Sequence, residues 1–90
     1  MDSTTDIMVA LRAGRALLGI SQEELATLAG VSRHIVVRLE KCEGNVLADS
    51  LSRVRLALEG AGVVFVEATV DRGPGVALAR PRAPDPVDQG

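Results

Sequence analysis

The chain has no tryptophan and no tyrosine, and Phe65 is its only aromatic residue. Proteins that grip RNA or single strands by stacking need aromatic platforms, so that mode of binding is not expected. The single cysteine, Cys42, cannot close an internal disulfide. With the single histidine, His34, it cannot by itself supply a four-ligand zinc site either, so no metal is expected. No apolar run approaches the ~20 residues that span a bilayer, which excludes a membrane-spanning helix and argues against a membrane partner. Positive charge is not in surplus: ten basic and twelve acidic residues leave a formal net charge of −2. A protein that coats nucleic acid by bulk charge is therefore not expected, and any contact with DNA must come from a local basic surface. The opening residues Met1–Asp6 lack the positive region of a secretory signal, so the expected compartment is the cytoplasm.

Ninety residues leave room for one hydrophobic core, and 47% hydrophobic with 24% charged residues is a globular composition. The spacing predicts four helices. Ser3 opens an S-x-x-D pattern with Asp6, and apolar residues recur at Ile7, Ala10, Leu11, Gly14, Leu17 and Leu18 until Gly19. Ser21 and Glu24 form an S-x-x-E capping box, with Ile20 and Leu25 placed to close a hydrophobic staple across it. The second helix carries Leu25, Ala26, Leu28 and Ala29 and stops at Gly30. Ser32 caps a third helix, with Val31 and Val36 as its staple and Val36 and Leu39 as its apolar face, ending near Lys41 or Cys42. After a loop at Glu43-Gly44-Asn45, Asp49 or Ser50 caps a fourth helix bearing Leu51, Val54, Leu56 and Leu58. Gly60-Ala61-Gly62 ends it.

Beyond Gly62 the period changes. Val63–Val70 is rich in β-branched residues and reads as a strand, Asp71–Gly75 as a turn and Val76–Arg80 as a second strand. Pro81, Pro84 and Pro86 mark residues 81–90 as a flexible tail. The first strand is apolar on both faces, with Val64, Val66, Ala68 and Val70 on one and Val63 and Phe65 on the other. A lone two-stranded hairpin is marginal in water and its edges are unpaired. The expectation is a homodimer built through Val64, Phe65, Val66, Ala68, Val70, Val76 and Leu78.

Two short helices joined at a glycine are a weak signal alone, but the pattern within them is specific. Counting from Gln22, Ala26 is fifth, Gly30 ninth, Val36 fifteenth and Leu39 eighteenth. Ala26 must be small where two helices cross, Gly30 must turn the chain with positive φ, and Val36 and Leu39 must anchor the second helix on the first. The run Leu17–Ala26, then Ala29-Gly30-Val31-Ser32, and Arg38-Leu39-Glu40 followed by Gly44, resembles the phage-repressor and Cro-like (XRE) helix-turn-helix family. The resemblance covers about residues 7–60.

It implies a lambda-repressor-like helix-turn-helix bundle of four helices over residues 1–62; the β-hairpin for dimerisation at 63–80, read above from its own residues, is not part of the basic family fold, and the whole is expected to be mainly α. It further implies a bacterial or phage regulator whose helix from Ser32 enters the major groove of double-stranded DNA. Arg33, His34, Val37 and Arg38 are then the base-reading candidates: the arginines for guanine O6 and N7, Val37 for a thymine methyl. Gln22, which in the family contacts phosphate, is joined as a phosphate candidate by Ser32, Lys41, Asn45 and Arg12. Arg15 and Glu40 match a pair that in the family links the first helix to the recognition helix.

No Ser/His/Asp or Cys/His set and no glycine-rich phosphate loop is present, so neither an enzyme nor a cofactor is expected. The leading expectation is a sequence-specific transcriptional regulator, a repressor on a palindromic operator. The alternative is an antitoxin-type module that neutralises a partner protein through its tail or hairpin and autoregulates its operon. Too little chain remains for a separate effector domain.

Overall fold

The computed structural model describes residues 3–41 and 48–80, and Cys42, Asn45 and the tail at 81–90 lie outside them. Among the described residues are four helices, α1 (Ser3–Leu18), α2 (Gln22–Ala29), α3 (Arg33–Glu40) and α4 (Ala48–Gly60). They are followed by a two-stranded antiparallel hairpin, β1 (Val63–Val66) and β2 (Gly75–Leu78). No helix among these residues is long and apolar enough to cross a membrane.

Local chemistry sets the short helices. Ser21 caps α2: its hydroxyl accepts from the Glu24 N–H, and the Glu24 carboxylate accepts from the Ser21 N–H, each at 3.0 Å. At the other end Gly30 takes the left-handed conformation (φ 70°), which a side chain would strain. Two residues later the Ser32 hydroxyl caps α3 by accepting from the Ile35 N–H. The connection between the two helices is thus only Gly30, Val31 and Ser32.

One core joins all these elements. Leu11, Leu25, Val36, Leu39, Val54 and Leu58 are fully buried, and each contributes about 1.5–3 kcal/mol by leaving water. α2 packs on α3 and α4, while α1 lies against α3, α4 and the hairpin. Gly14 sets the closeness of α1 to its neighbours. A Cβ there would stand 3.1 Å from Val63 Cγ1 and 3.5 Å from Leu58 Cδ1.

Three leucines expected on apolar faces are exposed. Leu17 is one residue, about 100°, round α1 from the partly buried Leu18, and Met8 occupies the core instead. Leu28 lies off the midline of Leu25, Ala26 and Ala29. Leu56, 66% exposed, stands two residues from both Val54 and Leu58 and so faces away from them. α4 also begins earlier than expected, which puts Asp49 in its first turn rather than at its cap and buries Ser50.

The strands are shorter than the sequence predicts. Val63 pairs with Leu78, Val64 with Ala77, Phe65 with Val76 and Val66 with Gly75. The paired register ends at Val66 and Gly75, so β1 stops at Val66 rather than Val70. Ala68 and Val70 therefore belong to the connection, whose tip is closed by a Thr69–Arg72 bridge. At the far end Ala79 donates to the Gly62 carbonyl, and β2 ends at Leu78 rather than Arg80.

Candidate nucleic-acid interface

Besides the core packing of Val36 and Leu39, a single carboxylate links α3 to α1 and α2 by hydrogen bonds. Glu40 lies in the last turn of α3 with its side chain only 6% exposed. Arg15 grips it with two parallel bonds, Nε to Oε2 at 2.5 Å and Nη2 to Oε1 at 2.9 Å, and its Nη1 donates to the Ile20 carbonyl at 2.9 Å. From the first residue of α2, Gln22 Nε2 donates to the same Oε1 at 3.1 Å. Burial alone would raise the Glu40 carboxyl. The bonds from Arg15 and Gln22, with the charges of Arg15 and Arg12, outweigh burial and hold it below its ordinary value. Glu40 in turn raises Arg15, chiefly through the hydrogen bond between them. One charge network thus ties α1, the start of α2 and the end of α3.

Around that anchor the structure distributes the expected contact residues unevenly. Arg33 and His34 are exposed in the first turn of α3, next to the capping Ser32. Val37 and Arg38 are partly buried rather than open, because Val36 and Leu39 beside them are drawn fully into the core. Lys41 is exposed at the C-cap of α3. Arg12 is exposed on α1 and near enough for its charge to act on Glu40. Gln22 and Arg12 therefore gather around Glu40 in the last turn of α3, which Lys41 follows, with Ser32, Arg33 and His34 at the other end of α3. Asn45 lies outside the described residues. Among those residues no three His, Cys, Asp or Glu side chains gather as a metal-ligand set.

The Gln22–Glu40 bond escaped sequence reasoning. The two residues are eighteen apart, and only the packing of α2 on α3 brings them together.

On the hairpin, the faces divide by what they cover. Val63 is in the core, and Phe65 and Val76 pack against it on the side facing the helices. The body of this chain covers part of both, and both stay partly exposed. Val64 (47% exposed), Leu78 (43% exposed), Ala68 and Val70 stay open, and Val66 is partly buried.

No family model, curated protein or solved structure matched the chain.

Proposed function

We propose that the chain is a sequence-specific double-stranded DNA-binding regulator of the phage-repressor and Cro-like kind, in which α2 and α3 form the helix-turn-helix. The observation that carries the reading is the construction of that unit. A capping box starts α2, a left-handed Gly30 ends it, and a three-residue turn leads into an α3 whose exposed first turn carries Arg33 and His34. The Arg15–Glu40–Gln22 network fixes the tilt of α3, so that the side chains of its first turn reach base edges in one register. Arg33 reads guanine, Val37, one turn on along the same face, meets a thymine methyl, and Arg38 contributes from beside it. Gln22 has two amide hydrogens and gives one to Glu40, which leaves the other for a backbone phosphate. Lys41 and Arg12 add phosphate charge.

The regulator acts as a homodimer through the outer side of the hairpin, where Val64 is exposed beside unpaired strand edges, with Leu78, opposite Val63 on the other face, exposed at the end of β2. Two such chains present two α3 helices about 34 Å apart, which calls for a palindromic site, and occupancy of a promoter would repress it. A nuclease footprint on the DNA upstream of the chain's own gene tests the reading. A protected inverted repeat whose occupancy falls steeply with salt is expected, and protection indifferent to sequence would overturn it.

A further inference from the structure

We propose that Arg53 of α4 binds a DNA backbone phosphate beside the first turn of α3; this rests on the regulator reading above. Contacts to phosphate fix the register and orientation of a protein on the duplex. Gln22 bonds to Glu40, Arg12 acts on it and Lys41 follows it, so these three phosphate contacts cluster at the last turn of α3. At the other end stands Ser32, whose hydroxyl is already engaged as the helix cap. An α3 tethered to the backbone only near its last turn can pivot about that turn, which leaves the position of Arg33 and His34 against the bases unfixed. A second cationic tether near the first turn removes the pivot.

Arg53 is placed to be that tether. Its Nη1 would stand 3.8 Å from a Cβ built on Gly30, so the guanidinium lies at the turn between α2 and α3. Gly30 is exposed and comes three residues before Arg33, a span of at most about 11 Å. Asp49, one turn back on α4, holds the guanidinium there by accepting from Nε at 2.8 Å, while Nη1 is the nitrogen at the turn. Both side chains are open to solvent, at 54% and 74% exposed, so the pair adds little stability and positions the arginine without burying it. A guanidinium held by Nε still offers the hydrogens of both Nη atoms to a phosphate. The first turn of α3 carries no acidic residue to repel one. Arg55, two residues on, faces the hairpin instead, with its guanidinium 5.1 Å over the Phe65 ring.

The test is binding of the full chain to a random-sequence DNA duplex of about 30 base pairs, followed by fluorescence anisotropy over a series of salt concentrations. Arg53→Ala should weaken binding about tenfold near 0.1 M salt and lower the slope of log affinity against log salt by about one. Arg53→Lys, which keeps the charge, should recover most of that slope. Arg55→Ala removes the same charge from the hairpin side and should leave the slope at its native value. Thermal unfolding should place Arg53→Ala within about 3 °C of the native chain, since its pair with Asp49 is exposed. A native slope in Arg53→Ala, an equal fall in Arg55→Ala, or a loss that Arg53→Lys leaves unrepaired would overturn the assignment while the regulator reading stands. A native chain that binds no duplex would overturn the regulator reading and this assignment with it.

Discussion

Glu40→Gln removes one charge from the junction of α1, α2 and α3 while nearly preserving its shape. In the native chain Glu40 accepts two bonds from Arg15 and one from Gln22, with the two ionic side chains 6% and 22% exposed. Breaking a fully buried ion pair costs about 3–5 kcal/mol, because the surviving charge is left uncompensated. Here Arg15 keeps its bond to the Ile20 carbonyl and reaches water on its open side, so the expected loss is about 2–3 kcal/mol. In a domain of this size each kcal/mol moves the melting temperature by about 4–8 °C, which gives a fall of roughly 10–20 °C. Thermal unfolding followed by circular dichroism measures it. A double-mutant cycle with Arg15→Met should return a coupling of about 0.5–3 kcal/mol. A melting temperature within about 3 °C of the native chain would refute the claim that this pair anchors α3.

The same carboxylate makes the fold acid-sensitive. A group held below its ordinary value contributes fully above that value, here 4.5, and its contribution disappears as pH falls through the lower folded value. Native stability should therefore decline below about pH 4.5 with a steeper acid limb than Glu40→Gln, as read by denaturant unfolding at several pH values. Arg33→Ala should cost about 1–3 kcal/mol of discrimination at one base pair with the melting temperature unchanged, whereas Lys41→Ala should weaken all sequences alike and lower the salt slope by about one. Ala26→Leu overfills a buried helix crossing and should cost about 1–3 kcal/mol, lowering DNA affinity and melting temperature together. Val64→Lys, on the open side of the hairpin, should shift light scattering from dimer to monomer while leaving the helical circular dichroism intact.

What the sequence made legible was what is decided locally. The Ser21–Glu24 capping box, the turn at Gly30 and the Ser32 cap each depend on residues a few positions apart, and each forms as expected. Helical spacing located the apolar faces but not their midlines, so Leu17, Leu28 and Leu56 read as core although neighbours on other elements leave them outside. The length of β1 depends on its pairing with β2, which ends at Val66 and Gly75, and the run of β-branched residues to Val70 carries no sign of that limit. Gln22 on Glu40 and Arg53 at the Gly30 turn arise only when distant segments pack, so no local pattern announces them.

The central claim is that the exposed first turn of α3 reads DNA sequence, and selection from a random double-stranded library tests it most directly. The native chain should enrich an inverted repeat with half-site centres about 10 base pairs apart, and Arg33→Ala should lose the preference at one symmetric pair of positions. A native chain that enriches no sequence over the input pool would contradict the account.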